Sequence, residues 1–403
     1  MTTRTYRASA FLDAAKKQGI DVAVGSEERH VLSALNPGGH LTVNFLDLEQ
    51  STSDIVEFVE QYPVEAIIAT DDDGVVLAAM ASDACNLRHN SVGSVASARN
   101  KYETRRILAQ AGLLTPKFWR FPADTDLEIC SQQVIYPCVV KPLALSASRG
   151  VMRANNPGEF VQAFQRLLPI LEENGIDVLS NDAKQVLVEG YIPGEEVVLE
   201  GIIVDDQLLP LAIFDKPDPL DGPFFQETIY VTPSRHTQDT QHAIIETGER
   251  ALTALGLHNG PVHIELRINE AGIWVVEVAP RSIGGYCSKA LRFDGDVTLE
   301  ELILQEALGQ PINNHQHATP ASGVMMVPIP HAGILCGIEG IEEARKVPGI
   351  EEIKIAISSG QTVMPPPEGS QYLGFIFARG ETAEQVETAL RGSHNCLNII
   401  IES

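Results

Sequence analysis

The chain has 403 residues, which is too many for one hydrophobic core, so we expect two to four domains or subdomains. Its 54 acidic residues outnumber 29 basic residues and give a formal net charge of -25, a field that would repel nucleic acid and argues against it as a partner. The six cysteines are scattered, no apolar run could span a bilayer, and the first residues lack a signal-peptide core, so we expect a cytoplasmic protein with no membrane partner.

The first part of the chain alternates between helix and strand patterns. YRASAFLDAAKKQG predicts an amphipathic helix that ends at Gly19, and a strand follows it. LTVNFLD predicts a strand, SDIVEFVEQYP a helix capped by Ser53 or Asp54, and VEAIIATDDDGVVLAAMASDAC a strand, a turn and a helix. This alternation is typical of a parallel α/β domain with ligands at the carboxyl ends of its strands. The three aspartates at 71–73 lie at one such end, where they either cap the next helix or orient an amine substrate.

The middle of the chain contains further helices and strands. NKYETRRILAQAGLLTPKF predicts a basic amphipathic helix from Asn100 to Gly112, and VIYPCVVKPL a strand that ends at Lys141. The loop LSASRGV and the helix PGEFVQAFQRLLPILEENG follow. KQVLVEGYI, EEVVLEGIIV and QLLPLAIFDK predict three strands, with Asp205 and Asp206 as a hairpin turn between the last two. PDPLDGPFFQETIYVTPSR predicts a stretch rich in loops.

The last part begins with the long helix pattern HTQDTQHAIIETGERALTALGL and the hairpin pattern HIELRINEAGIWVVEVAPR. TLEELILQEALGQP predicts another amphipathic helix. From about Gly323 onward, strand patterns and the helix ETAEQVETALRG predict a small α+β module.

The predicted hairpin brings two glutamates together. A three-residue turn at 270–272, with glycine in its left-handed position, centres the hairpin on Ala271. Side chains opposite one another share a face, with Cβ atoms ~5 Å apart, so two carboxylates placed this way repel each other unless a cation lies between them. Oxygen ligands of this kind suit Mg²⁺. The predicted pairs are Asn269 with Ile273, Arg267 with Val275, and Glu265 with Glu277.

An alternative register is shifted by one residue. Each glutamate would then meet solvent or an arginine, for which Arg267 and Arg281 are the candidates. The spacing alone leaves both interpretations open.

Several polar residues upstream of the hairpin are candidate site residues, but each one alone is only weak evidence for a functional site. Lys101 opens a helix and Lys141 ends an apolar strand, so each is either a solvated cation or a site residue. The loop LSASRGV offers two hydroxyl groups and one glycine, Gly150, where backbone can approach a phosphate. In VLVEGYIPGEEVVLEG, Glu189 and Glu196 are either surface acids or acceptors for an adenine amine and ribose hydroxyl groups.

The order of these motifs resembles the ATP-grasp superfamily, over nearly the whole chain. The matching pieces are NKYETRRILAQAGLLTPKF, YPCVVKP, VLVEGYIPGEEVVLEG, HIELRI and VVEVAPRSIGG. The chain is most similar to the L-amino-acid ligases (dipeptide synthetases) because of FFQETIYVTPS, EVAPRSIGG and the closing IPHAGILCGIEG and YLGFIFARG.

The resemblance implies an α/β protein with the ATP-grasp fold and four parts. These are an N-terminal parallel α/β domain (1–98), ATP-grasp subdomain A with the phosphate loop (99–186), ATP-grasp subdomain B with the metal site (187–322), and a small α+β C-terminal module (323–403).

The resemblance also implies a role for each matched residue. Glu265 and Glu277 would bind one or two Mg²⁺, for which Mn²⁺ could substitute. Arg281 and the backbone of Gly284 would contact the acyl phosphate or the tetrahedral intermediate, and Glu227 would meet the substrate amine. Two residues would shape the substrate pocket, Tyr230 and Ser282. The residues expected to hold ATP are Lys101, Lys141, Ser146, Ser148, Gly150, Glu189, Tyr191, Ile192 and Glu196.

By this resemblance, the chain is expected to be an ATP-dependent carboxylate–amine ligase that forms an amide or peptide bond through an acyl phosphate, with ADP and phosphate as products. Its partners would be small-molecule substrates, and a homodimer is the default assembly. The alternatives are a carboxylase-like enzyme that uses bicarbonate and a nucleotide-binding regulatory protein without turnover.

Two departures from the family pattern bear on this expectation. Ala279 stands where much of the superfamily has asparagine, which removes one side-chain ligand and leaves the number of metal ions open. The phosphate loop is poor in glycine and contains Leu143 and Leu145.

Overall fold

The structure of the chain is a computed structural model that describes residues 1–2, 5–28, 39–143, 145–173, 184–313 and 315–402. The predicted end of the helix PGEFVQAFQRLLPILEENG, at 174–175, and position 144 of the predicted phosphate loop lie outside the described residues. Within these ranges, no helix combines the length and the hydropathy needed to cross a bilayer.

The N-terminal part contains the predicted parallel strand pair and helices. Gly19 ends the first helix with a φ of 69°, as predicted. The second helix starts earlier than predicted, because Asp47 caps it and the Ser53 hydroxyl instead donates to the carbonyl of Glu49. The stretch before the aspartates at 71–73 is not a strand. The elements are α1 (Ala8–Gln18), β1 (Val24–Ser26), β2 (His40–Thr42), α2 (Leu48–Gln61), α3 (Val75–Ala84) and α4 (Val92–Arg99).

A four-stranded sheet follows in the described residues, with the strand order β3-β6-β4-β5. Its helix α7 packs against it through the fully buried side chains of Phe160, Phe164 and Leu167. The helix predicted from Asn100 is present, and the Asn100 side chain accepts hydrogen bonds from its first turn. The elements are α5 (Lys101–Gln110), β3 (Phe118–Pro122), α6 (Leu127–Ser131), β4 (Cys138–Pro142), β5 (Met152–Ala154), α7 (Pro157–Glu173) and β6 (Gln185–Gly190).

A second sheet extends from the middle of the chain into its C-terminal part. The predicted turn between β7 and β8 is confirmed, since Asp205 and Asp206 have φ values of 49° and 66°. The stretch predicted to be rich in loops after β8 contains a strand, β9, that joins this sheet. The elements up to residue 307 are β7 (Glu195–Val204), β8 (Gln207–Lys216), β9 (Ile229–Thr232), α8 (Gln238–Leu255), β10 (Gly260–Asn269), β11 (Gly272–Ala279), β12 (Arg292–Phe293), β13 (Val297–Thr298) and α9 (Leu299–Ala307).

The C-terminal strands continue the same sheet, whose order across the described residues is β11-β10-β7-β8-β9-β14-β18-β16. A smaller sheet with the order β17-β15-β19 lies beside it. The predicted four-part boundaries remain a prediction, but the backbone pairing of β14 with β9 joins the C-terminal module to the central part. The elements are β14 (Ala321–Val327), β15 (Gly333–Glu339), α10 (Ile341–Ala344), β16 (Ile350–Ile355), β17 (Thr362–Val363), β18 (Gly374–Gly380), α11 (Ala383–His394) and β19 (Asn398–Glu402).

The hairpin of β10 and β11 has the predicted pairing of Glu265 with Glu277 but reaches it through a different register. The turn is shorter than predicted, so the other two predicted pairs are wrong. The observed pairs near the turn are Asn269 with Gly272, Ile268 with Ile273, Arg267 with Trp274 and Leu266 with Val275.

A β-bulge restores the alignment between the turn and the glutamates. The register shifts between Glu265 and Leu266, which leaves Val276 as the extra residue of β11. Arg105 holds this bulge, because its guanidinium donates to the carbonyls of Val275 at 2.8 Å and Val276 at 2.7 Å. Without the bulge, Glu277 would lie on the opposite face of the sheet.

Gly323 provides a test of the junction between the C-terminal module and the rest of the sheet. A Cβ atom there would lie 2.7 Å from the carbonyl oxygen of Tyr230 and 2.8 Å from a methyl group of Val386. We predict that Gly323→Ala lowers the free energy of unfolding by about 1–3 kcal/mol because of overpacking. Gly93→Ala is the control, since a Cβ atom there meets nothing within 4 Å. Equal free energies of unfolding of the two variants in urea titrations would contradict the close packing of Gly323 against Tyr230 and Val386.

Candidate active site

A cavity of about 370 Å³ lies where the two large sheets, the N-terminal segment and the C-terminal module meet. Most residues that the sequence singles out line it, although they come from distant parts of the chain. The predicted site residues that line the cavity are Lys101, Lys141, Ser146, Ser148, Glu189, Tyr191, Ile192, Glu196, Glu227, Tyr230, Glu265, Glu277, Arg281 and Gly284.

Gly150 is not among the residues that line the cavity. Its N–H group donates to the carbonyl of Pro367 at 2.9 Å, and a Cβ atom on it would lie 2.6 Å from Leu167. The prediction that its backbone approaches a phosphate is therefore corrected: this glycine allows the loop to pack closely against α7 and the C-terminal module. Ala147 and Ser148 supply the left-handed turns of the loop, with φ values of 53° and 55°.

Ser282 is the second predicted site residue that does not line the cavity. It is buried, and its hydroxyl accepts a hydrogen bond from Arg7 at 3.0 Å. Arg7 also donates to the carbonyl of Ile283 and to Glu300. The prediction that Ser282 shapes the substrate pocket is therefore corrected, because this side chain instead fixes its own loop to the N-terminal segment.

Glu189 is a buried carboxylate between two cations. Arg105 contacts one oxygen at 2.7 Å and the other at 3.3 Å, and Lys141 also pairs with it. Burial alone would raise the pKa of Glu189, but Arg105 and Lys141 lower it to about 2. Burial lowers the pKa of Lys141. This arrangement favours a structural role for Glu189 over the predicted contact with adenine or ribose.

The backbone near the predicted adenine site is partly engaged within the protein. The N–H group of Tyr191 donates to the carbonyl of Pro137 at 2.9 Å. The carbonyl of Ile192 accepts from the guanidinium of Arg267 at 2.6 Å. These bonds fix the connection between β6 and β7, so the two residues keep their place at the cavity wall.

Lys216 is a functional candidate that sequence reasoning missed. Its ammonium group lies 2.7 Å from Glu196 and 3.7 Å from Glu265, and it also donates to Glu227. These three carboxylates have oxygen atoms within 4.8 Å of one another. Burial opposes the charge on Lys216, yet the acids raise its pKa well above the ordinary value. Its position at the end of the apolar strand QLLPLAIFDK is the signal that already singled out Lys141.

The strand register explains why these charges share one face of the sheet. Glu196 of β7 lies opposite Lys216 of β8 and opposite Arg267 of β10. Four residues further along β7, Glu200 lies opposite His263. Because side chains alternate between faces, these residues point to the same side as Glu265.

Glu265 and Glu277 remain the candidate metal ligands. Their side chains are 22% and 28% exposed, so both are within reach of a ligand in the cavity. Lys101 lies 3.3 Å from Glu277 and donates to the carbonyl of Leu145 at 2.8 Å, which connects the phosphate loop to this glutamate. Two carboxylates opposite each other fit Mg²⁺ completed by phosphate oxygens and water.

His263 is another residue that the sequence analysis did not single out. It lies opposite Ala279, with Nδ1 2.9 Å from Glu200 and Nε2 3.7 Å from Glu265. Burial would lower the pKa of His263, but the two carboxylates raise it to about 9. Glu200 also accepts a hydrogen bond from the N–H of Ile283 at 2.8 Å. Buried contacts therefore connect the candidate metal ligand to the loop after Arg281.

Arg281 is held by the N-terminal domain. Its guanidinium donates to Asp72 at 2.7 Å, and Arg99 lies 3.9 Å from the same carboxylate. Burial alone would raise the pKa of Asp72, but Arg281 and Arg99 lower it from 3.8 to about 2. Asp71, at the start of the helical turn, makes no capping hydrogen bond. The capping interpretation is thus wrong, and the aspartates at 71–73 orient Arg281 through Asp72.

The depressed pKa of Asp72 predicts acid sensitivity. Because the folded value lies below 3.8, the ion pair stabilises the fold above that pH by roughly 2 kcal/mol, and this contribution is lost as the pH falls toward 2. Asp72→Asn lacks this titrating group. We therefore predict that its free energy of unfolding, measured by urea titration, falls between pH 7 and pH 3 by about 1 kcal/mol less than that of the parent protein.

Asp73→Asn is the matched control for this measurement. Burial raises the pKa of Asp73, so its protonation in the fold opposes acid destabilisation, and Asp73→Asn should lose at least as much stability as the parent protein over this pH range. If Asp72→Asn and the parent protein lose stability in parallel, the ion pair with Arg281 does not lower the pKa of Asp72.

Comparisons with known proteins match the fold and two segments of the chain. Residues 134–290 match the ATP-grasp domain, and residues 325–402 match L-amino acid ligase C-terminal domain 2. Alanine–anticapsin ligase of Bacillus amyloliquefaciens is 27% identical over 251 residues, or 59% of this chain and 52% of that protein. Dapdiamide A synthase of Enterobacter agglomerans is 24% identical over 275 residues, or 64% of this chain and 62% of that protein.

A solved structure agrees over a longer range. The L-amino acid ligase from Bacillus licheniformis is 25% identical, with a TM-score of 0.83 over 98% of this chain and 96% of that chain. By contrast, the chain spans only 52% and 62% of the length of the two curated relatives.

Proposed function

The chain has the ATP-grasp fold and carries a C-terminal domain of the L-amino acid ligase type, and from that premise we propose that it is an ATP-dependent carboxylate–amine ligase. Its substrates are an amino acid or similar carboxylate and an amine or second amino acid. Its products are an amide or peptide, ADP and phosphate.

One observation supports this proposal most strongly. A single cavity contains the cation Lys101, the opposed carboxylates Glu265 and Glu277, the guanidinium of Arg281 and the carboxylate of Glu227. These groups provide what acyl-phosphate chemistry needs: positive charge where negative charge accumulates, oxygen ligands for Mg²⁺, and an acceptor for an amine.

The nucleotide would lie between the two sheets. Val139, Tyr191, Ile192 and Leu220 line this part of the cavity and suit an adenine ring. Ser146 and Ser148 lie in the loop that Lys101 anchors, so their hydroxyl groups would donate to phosphate oxygens. When bound by Glu265 and Glu277, Mg²⁺ would offset the negative charge of the phosphates.

Bond formation requires two displacements. A carboxylate oxygen of the first substrate attacks the γ-phosphorus, and ADP leaves with the electrons of the broken P–O bond. The neutral amine nitrogen of the second substrate then attacks the acyl carbon, and the former carboxylate oxygen leaves as part of phosphate, which takes up the proton that the nitrogen loses. Arg281, fixed by Asp72, stabilises the negative charge on the reacting carboxyl group.

Glu227 and Tyr230 form the amine side of the site. The Tyr230 hydroxyl donates to Glu227 at 2.8 Å, and Lys216 pairs with the same carboxylate. Burial raises the pKa of Glu227. We assign Glu227 to accept a hydrogen bond from a substrate amine, with Tyr230 holding its carboxylate in place.

The two alternative functions have less support. The match of residues 325–402 to a ligase domain favours an amine over bicarbonate as the second substrate. The convergence of Lys101, Glu265, Glu277 and Arg281 on one cavity favours catalysis over nucleotide sensing alone. Cytoplasmic location and a homodimer remain predictions.

The catalytic prediction is tested with Glu277→Gln. This change removes one of two opposed carboxylates while keeping its size, so phosphate release from ATP, Mg²⁺ and amino-acid pairs should fall at least about 100-fold. Glu57→Gln, on the exposed face of α2, is the control and should retain activity. Full activity of Glu277→Gln, or formation of AMP and pyrophosphate, would contradict the proposal.

A further inference from the structure

Part of the cavity is built from aromatic side chains that the proposed bond-forming steps do not use. Tyr6 of the N-terminal segment, Tyr372 before β18 and Phe375 of β18 all line the cavity. The ring centre of Phe375 lies 5.9 Å from that of Tyr6 and 6.1 Å from that of Tyr372. We call these three residues the aromatic wall.

The aromatic wall adjoins the loop that follows Arg281. A Cβ atom on Gly285 would lie 3.2 Å from the Phe375 ring and 3.8 Å from the sulfur of Cys287. Cys287 also lines the cavity and is buried. The wall therefore begins directly beside the loop that would contact the reacting carboxyl group.

The same wall also lies close to the amine side of the site. Burial and then the carboxylate of Glu227 raise the pKa of Tyr372 well above its ordinary value. Lys216 pairs with Glu227 and lies 3.7 Å from Glu265, and both carboxylates line the same cavity as Arg281. A single small molecule can thus reach Glu227, Arg281 and the wall.

The rings of the wall and two neighbouring side chains offer apolar surface to the cavity. Met326 and Cys287 lie in the same cavity lining as the wall. Arg7 is a nearby cation, but its guanidinium is held by Glu300 at 3.0 Å and by Ser282 at 3.0 Å. A charged side chain placed against the wall would lose its hydration, whereas an apolar side chain would gain from burial.

Gly284 keeps space open next to this region. A Cβ atom on Gly284 would meet no atom within 4 Å, and its φ lies outside the left-handed range, so the backbone does not require glycine there. Glycine at this position leaves room in the cavity for a group of the substrate.

We propose that the carboxylate substrate is an α-amino acid with an apolar side chain. The side chain packs against the aromatic wall, while the α-amine faces Glu227 and the carboxylate faces Arg281. This inference rests on the proposed ligase function and names the substrate class of the same site.

Hydroxylamine allows the carboxylate substrate to be tested alone. It attacks an acyl phosphate to give a hydroxamate and phosphate, so the natural amine need not be known. The full chain is incubated with ATP, Mg²⁺, hydroxylamine and one amino acid at a time from leucine, methionine, phenylalanine, alanine, serine, aspartate and lysine. We expect kcat/KM for the best of leucine, methionine and phenylalanine to exceed that for serine, aspartate and lysine by about tenfold or more.

The other outcomes of this panel are distinct. A preference for lysine would place the side chain near the aspartates at 71–73, and a preference for aspartate or serine would place it at a polar part of the cavity. Either result overturns the inference while supporting the ligase function. No hydroxamate with any of these amino acids also overturns the inference, while the ligase function is tested separately by the phosphate release that Glu277→Gln should lower.

Variants of the wall test whether its rings contact the substrate side chain. A ratio of two kcat/KM values is measured, because a loss of folded protein lowers both values equally. Tyr372→Ala should lower the ratio of kcat/KM for leucine to that for alanine at least fivefold, because the removed ring no longer contacts the larger side chain. Tyr372→Phe keeps the ring and should keep the ratio. Gly284→Val fills the open space and should lower the ratio in the same direction. Unchanged ratios in both Tyr372→Ala and Gly284→Val would overturn the inference.

Discussion

The site depends on the buried ammonium group of Lys216. It lies among the carboxylates of Glu196, Glu227 and Glu265. Glu196 belongs to β7, Glu227 to the connection that precedes β9, and Glu265 to β10. Three acids this close would repel one another strongly in a buried setting, and desolvating even one of them costs several kcal/mol without a partner. Lys216 offsets that repulsion and fixes the spacing of the sheet face on which the candidate metal and amine ligands lie.

The other half of the site is arranged by contacts across domains. Asp72 of the N-terminal domain orients Arg281, while Arg7 and Glu200 hold the backbone of Ile283. The loop after Arg281 is therefore fixed from two sides, by the N-terminal segment and by the central sheet. This rigidity suits a group that must meet a developing charge at one position. Because the pairing of β14 with β9 places the C-terminal strands in the same sheet, the aromatic wall is part of the same frame.

Many of the residues that line the cavity could be singled out from the sequence, because polar side chains end apolar strand patterns and because the order of the motifs resembles the ATP-grasp superfamily. The pairing of Glu265 with Glu277 was predicted from an incorrect turn, and it holds because the bulge at Val276 offsets the shorter loop. A bulge depends on a distant donor, here Arg105, and no local pattern reveals it. The alternative that the aspartates at 71–73 cap the next helix is wrong because their role also depends on a distant residue. The partner of Asp72, Arg281, lies 209 residues away in the chain.

Other residues could have been found by applying the same rules more widely. Lys216 ends an apolar strand as Lys141 does, and His263 alternates with Glu265 on one face of β10. The errors at Gly150 and Ser282 have another origin. Their neighbours, Pro367 and Arg7, are supplied by the C-terminal module and the N-terminal segment, and only the folded chain brings them together.

The most direct test of the account follows the oxygen atoms of the carboxylate substrate. An amino acid labelled with ¹⁸O in both carboxylate positions is incubated with the full chain, ATP, Mg²⁺ and an amine, and the released phosphate is examined by mass spectrometry. An acyl phosphate intermediate predicts one ¹⁸O atom in each phosphate and one in the amide product. Phosphate without label would contradict the ligase mechanism on which the account depends.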